Sequence, residues 1–122
     1  MRVLVIEDNA VLSLTLEVML KKMGFTEIRK AYTPQDALSL IEEFEPDLLL
    51  VDINLDSDLS GIDIVRIVQE NRQVSVVYTT ANSDAYHREL AKETPHDAYL
   101  IKPLNFTALS SALETVNLRL AV

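Results

Sequence analysis

The chain has 122 residues, 48% of them hydrophobic, a formal charge of −8 and no cysteine. That length suits one domain spanning residues 1–122 with a substantial core, and the absence of cysteine excludes disulfide staples and thiolate zinc sites. The acidic balance argues against direct nucleic-acid binding, because phosphate backbones repel such a surface, and favours protein partners.

The first apolar run, Val3 to Ile6, stops at Glu7-Asp8 and predicts a strand so close to Met1 that no signal peptide is expected. A helix follows, with Leu12, Leu16, Met19, Leu20 and Met23 on one face, Asn9 as N-cap, Lys21 and Lys22 in the last turn and Gly24 past its end. Residues Glu27 to Ala31 form a second, more polar strand suited to a sheet edge. Thr33 and Pro34 then open a helix through Ala37, Leu38, Ile41 and Phe44, and Pro46 ends it. The third strand, Leu48 to Val51, has no polar interruption, as a strand covered on both faces requires, and it ends at Asp52.

Gly61 to Arg72 predicts a third helix with Ile64, Val65 and Val68 inward. A fourth strand, Val74 to Thr79, stops at Thr80-Ala81. The fourth helix, about Asp84 to Lys92, has thin apolar character in Tyr86 and Leu90. The fifth strand, Ala98 to Ile101, ends at Lys102-Pro103, where a cis peptide bond is expected. Asn105 then caps a last helix with Phe106, Leu109, Leu113, Val116 and Leu120 at helical spacing. No apolar run approaches the roughly 20 residues needed to span a bilayer.

Strands alternating with helices call for a parallel sheet with right-handed crossovers. The expected class is α/β, a flavodoxin-like (βα)5 three-layer sandwich with strand order 2-1-3-4-5. In that arrangement every strand's carboxyl end lies on one edge, so Glu7, Asp8, Asp52, Thr80 and Lys102 converge. Clustered carboxylates stay ionised together only with a cation or a shared proton, and a hard divalent ion such as Mg2+ suits the set. Carboxylates also act as nucleophiles that form aspartyl phosphates, and Asp52, ending the central strand, is the best placed. A metal, the Lys102 ammonium and the Thr80 hydroxyl would neutralise the phosphoryl oxygens.

From Glu7-Asp8 through Asp52 and Thr80-Ala81 to Tyr99 and Lys102-Pro103, the chain resembles the receiver domain of two-component response regulators. The resemblance implies that Asp52 accepts a phosphoryl group from a histidine kinase or histidine phosphotransfer protein. It implies a Mg2+ site formed by Glu7, partly through water, Asp8, Asp52 and the backbone carbonyl of Asn54. It further implies that Thr80 and Lys102 contact the phosphoryl oxygens, and that Thr80 and Tyr99 switch the surface of helix four, strand five and helix five. Chemistry is then limited to self-phosphorylation and autodephosphorylation, with Asn54 and Asn82 tuning the lifetime and no external substrate turned over. A cytoplasmic location, an effector domain or downstream protein and a phosphorylation-dependent homodimer belong to the same expectation.

Departures from the common pattern are the longer loop Ile53 to Gly61, which lacks a proline, and Glu93 to Asp97 before strand five. Static packing stays open for Tyr99, and backbone satisfaction for Thr79 or Thr80. Asp56 and Asp58 suit a hydrated loop, and His87 and His96 a surface. The competing functions are a magnesium phosphohydrolase, a flavin or nucleotide binder and an unphosphorylated interaction module. The second of these is disfavoured because two glycines cannot supply a phosphate-binding loop. The phosphohydrolase is disfavoured by the lack of an acid two residues after Asp52.

Overall fold

The computed structural model describes the backbone of residues 1–81 and 85–120 and the side chains of residues 1–81 and 85–117. In chain order it contains β1 (Arg2–Ile6), α1 (Ala10–Lys22), β2 (Glu27–Ala31), α2 (Pro34–Phe44), β3 (Leu48–Asp52) and α3 (Gly61–Gln69). These are followed by β4 (Ser75–Thr80), α4 (Ala85–Ala91), β5 (Ala98–Ile101) and α5 (Phe106–Leu120). All strand pairings are parallel and the order is β2-β1-β3-β4-β5. The flavodoxin-like architecture expected from the pattern is the one observed.

Strand alternation divides the core. Leu4 and Ile6 of β1 and Leu49 and Val51 of β3 face α2, α3 and α4, where they pack with Ile41, Ile64, Val65 and Ala91. Val3, Val5, Leu48 and Leu50 face the other way, onto Leu16 and Leu20 of α1 and Leu109, Leu113 and Val116 of α5. Both faces of β1 from Val3 on and of β3 are covered, so Val3–Ile6 and Leu48–Val51 hold no polar residue. Acidic residues follow directly at their carboxyl ends, Glu7-Asp8 after β1 and Asp52 as the last residue of β3.

Side-chain caps fix where four helices begin. Asn9 Oδ1 accepts from the Leu12 amide, Thr33 Oγ1 from that of Asp36 and Asn105 Oδ1 from that of Ala108. Ser60 and Asp63 form a reciprocal capping box that starts α3. Gly24 adopts φ 98° just beyond α1, a left-handed conformation that suits glycine.

Some boundaries differ from the sequence expectation. Helix α3 ends at Gln69 rather than Arg72; beyond it the Val68 carbonyl is shared by the Asn71 and Arg72 amides, and the former bond tightens the chain into a 3₁₀-type turn. Strand β4 starts at Ser75 and runs through Thr80. Helix α4 closes at Ala91, and the expected start at Asp84 lies outside the described residues, as does Asn82. Phe106, placed inward by its spacing, is 42% exposed. His96 is half-buried rather than on the open surface, its ring packed edge-on against Tyr78.

Candidate functional site

The carboxyl ends of β1, β3 and β5 bring together residues that are far apart in the chain. Glu7 and Asp52 are almost wholly buried, at 1% and 4% exposure, whereas Asp8 is open to solvent. One carboxylate oxygen from each of the three lies within 4.8 Å of the others. Lys102 Nζ donates to Glu7 Oε1 at 2.8 Å and to Asp52 Oδ2 at 3.0 Å. It follows β5 through a Lys102-Pro103 peptide that is cis, as expected.

Electrostatics follow from that crowding. Burial pushes the Glu7 carboxyl above its ordinary range, and the Asp52 charge adds to this, while the Lys102 hydrogen bond and the Asn9 amide pull it back. Burial pulls the Lys102 ammonium down, yet its hydrogen bonds to Glu7 and Asp52 and their charges outweigh that and raise it overall. Both shifts favour holding protons, as expected where two buried carboxylates share one ammonium. With all four groups ionised the cluster carries two uncompensated negative charges, the amount that one divalent cation neutralises. All the donors are hard oxygens, one group is exposed enough to leave room for water, and the set therefore fits magnesium.

The loop between β3 and α3 closes over the cluster. Its Asn54 amide donates to Asp52 Oδ1 at 3.0 Å, and its Asp56 amide to Asp8 Oδ2 at 2.9 Å. The Asn54 carboxamide donates to Thr80 Oγ1 at 3.0 Å. Thr80 is fully buried, and its carbonyl accepts from the Lys102 amide at 2.7 Å. Tyr99 pairs in register with Tyr78, and the Arg88 guanidinium lies 5.3 Å from its ring centroid.

Two contributors were not singled out by sequence reasoning. Asp56 serves through its backbone amide, a role that no side-chain pattern signals. Gly61 opens α3 directly against the acceptor strand: a Cβ there would fall 2.2 Å from the Asp52 carbonyl oxygen and 2.7 Å from Val51 Cγ1. Glycine at a strand-proximal helix start is the one signal that could have revealed this.

Residues 3–114 match the model of the response regulator receiver domain. The chain is 33% identical over 113 residues to the transcriptional regulatory protein PdtaR of Mycobacterium tuberculosis, covering 93% of this chain and 55% of that one. It is 34% identical over 102 residues to the DNA-binding response regulator MtrA of Mycobacterium leprae, covering 84% and 44%. The chain thus spans about half the length of the curated relatives it matches. A CheY-like response regulator receiver domain protein from Methanospirillum hungatei superposes with a TM-score of 0.85 at 25% identity, covering 98% of this chain and 93% of that one. An acidic cluster at the sheet's carboxyl edge, a lysine bridging it and a family match over nearly the whole chain agree, and the chain belongs to the response regulator receiver family.

Proposed function

We propose that residues 1–122 form a single receiver domain in which Asp52 accepts a phosphoryl group from a histidine kinase or histidine phosphotransfer protein. The observation that carries this reading is the Lys102 ammonium, which donates at once to Asp52 and to Glu7 from the neighbouring strand. An Asp52 oxygen attacks the phosphorus of a phosphohistidine. The phosphorus–nitrogen bond breaks with its electron pair left on the imidazole, and an acyl phosphate results. In autodephosphorylation, a separate reaction, water attacks phosphorus, the phosphorus–oxygen bond to Asp52 breaks with its electron pair left on the carboxylate, and inorganic phosphate leaves.

Glu7, Asp8, Asp52 and the Asn54 carbonyl would hold Mg2+, with Glu7 acting partly through water. When bound, the ion supplies charge neutralisation to the phosphoryl oxygens. Lys102 supplies a second positive charge, and the Thr80 hydroxyl donates to a third oxygen. A shift of Thr80 and Tyr99 then alters the face built from α4, β5 and α5. Tyr86, Ile101 and Phe106 on those elements are exposed, which supports a protein-binding role for the face. Its partners would be an effector domain, a downstream protein or a second copy of the chain. Cytoplasmic histidine kinases fit this chemistry, and no helix among the described residues is long and apolar enough to cross a membrane.

Incubation with Mg2+ and acetyl phosphate should add one phosphoryl mass to the protein and none to Asp52→Asn. Beryllofluoride with Mg2+ should move the NMR signals around Tyr99. Steady multi-turnover phosphate release would point instead to a phosphohydrolase. A wild-type protein silent to both reagents would leave an interaction module without phosphoryl chemistry.

A further inference from the structure

Asn54 is tied at two points. Its backbone amide holds Asp52 Oδ1, and its carboxamide nitrogen holds Thr80 Oγ1, each at 3.0 Å. The residue itself is exposed, so dense packing does not force its side chain onto Thr80. Thr80, in contrast, is fully buried at the end of β4, where a β-branched side chain has few rotamers to choose from. Its hydroxyl oxygen is turned toward the loop that follows the acceptor strand, and no phosphoryl group is needed to turn it.

Tyr99 lies within reach of the same arrangement. Side chains two apart on a strand share a face, so Tyr78 and Thr80 point the same way, and Tyr99 pairs in register with Tyr78. The Tyr99 ring packs against the core cluster beneath α3 and α4, its hydroxyl is enclosed, and Arg88 lies over the ring. A hydroxyl can accept while it donates. The contact from Asn54 uses an accepting lone pair of Thr80 Oγ1, so it does not compete with hydrogen-bond donation from that hydroxyl to a phosphoryl oxygen. The Asn54 contact is therefore compatible with an occupied acceptor.

We propose that Asn54 is a positioning residue: its carboxamide holds the Thr80 hydroxyl on the acceptor side, and Tyr99 in its enclosed seat, before any phosphoryl group arrives. An interaction made in one of two conformations biases the population toward that one, and its removal shifts the population back. The unphosphorylated domain thus leans toward its switched arrangement, and Asn54 sets how far. This inference rests on the reading of Thr80 and Tyr99 as the switch.

NMR of the Thr80 methyl and the Tyr99 ring in metal-free, untreated protein tests it. In Asn54→Ala both sets of signals should move away from their positions in wild type treated with Mg2+ and beryllofluoride, widening the gap between untreated and treated protein. Thr80→Val, which removes the hydroxyl at constant shape, should move the Tyr99 signals the same way. The double variant should move them no further than either single change, because both remove one contact. Rescue by Asn54→Gln, which keeps a carboxamide donor, would separate positioning from general loosening of the loop. Unmoved Tyr99 signals in Asn54→Ala, or additive shifts in the double variant, overturn the proposal. The untreated comparison needs no phosphoryl analogue. A wild type that ignores beryllofluoride would therefore count against the acceptor role of Asp52, while the non-additivity would still report on Asn54.

Discussion

Lys102 donates to Glu7 at 2.8 Å across a sequence separation of 95 residues, and the carboxylate that it reaches is almost wholly buried. The contact joins the ends of β1 and β5 although β3 and β4 lie between them in the sheet. It is possible only because a long flexible side chain spans the carboxyl edge and reaches Asp52 as well. Removing the ammonium leaves two buried carboxylates facing each other without a countercharge, a loss on the order of 3 to 5 kcal/mol. Lys102→Ala should therefore unfold at lower denaturant without Mg2+ and recover more stability than wild type when Mg2+ is added. It should still take up phosphate from acetyl phosphate but show a blunted response at Tyr99. Chemical denaturation with and without Mg2+, followed by NMR of the phosphorylated form, checks both halves. Equal Mg2+ stabilisation in the two proteins would refute the charge argument.

Asp8 is the exposed member of the cluster, and its carboxylate also anchors the Asp56 amide. Neutralising it removes one unit of charge from beside the expected cation. At about 4 Å that charge is worth on the order of 1 to 4 kcal/mol between water-like and surface-like surroundings. Asp8→Asn should weaken Mg2+ binding by about tenfold or more while costing little fold stability, because the asparagine oxygen can still accept from Asp56. Mg2+ titration followed by NMR gives the affinity, and thermal melts without metal give the stability. Unchanged affinity would remove Asp8 from the metal site.

The convergence of Glu7, Asp8, Asp52, Thr80 and Lys102 was legible because each closes an apolar run, and a parallel sheet admits one placement for such residues. Leu48 to Val51, unbroken by any polar residue, identified the central strand on the same physical ground. Helix ends were less legible. At the early stop of α3 the Val68 carbonyl accepts from both the Asn71 and the Arg72 amides, a change of turn that residue types do not decide. Phe106 shows the same limit, since helical spacing sets its angular position but not the depth of cover over the first turn of α5. The Asn54 contact with Thr80 could not be read at all, because it depends on the path of the loop from Ile53 to Ser60.

Gly61 should be close to irreplaceable. The first turn of α3 lies so near β3 that an added methyl would overlap the Asp52 carbonyl oxygen, a backbone atom that cannot swing aside. The Gly61 amide also donates to the Ile53 carbonyl at 3.0 Å, which pins the two segments together. Relief would require α3 to lift or Asp52 to sink, and such overpacking typically costs about 1 to 3 kcal/mol. Gly61→Ala should lose stability in that range and accept phosphate from acetyl phosphate more slowly, since the acceptor is displaced. Urea denaturation and phosphorylation kinetics followed by mass measure the two effects. Wild-type values for both would show that the helix start yields freely.

Tyr78 gives the fold a specific alkaline weakness. Burial pushes its phenol up to about 12, against the opposing pulls of the Thr94 hydroxyl and the Arg66 charge. Its hydroxyl lies 2.6 Å from Thr94 Oγ1, which in turn donates to the Ala91 carbonyl at the end of α4. In the unfolded chain a tyrosine ionises near pH 10, so above that pH the unfolded state sheds a proton that the folded state keeps. Stability from this residue is therefore complete below about pH 10 and falls as pH rises toward 12, by roughly 1.4 kcal/mol per pH unit. Tyr78→Phe should cost about 1 kcal/mol at neutral pH through the lost hydrogen bond. It should also flatten the alkaline decline, so that the gap to wild type narrows or reverses as pH climbs. Urea denaturation at neutral and alkaline pH measures the stability, and ultraviolet titration of the folded protein against Tyr78→Phe should show the Tyr78 phenol ionising late. If Tyr78→Phe and wild type lose stability in parallel above pH 10, burial of this phenol is not what limits the fold in alkali.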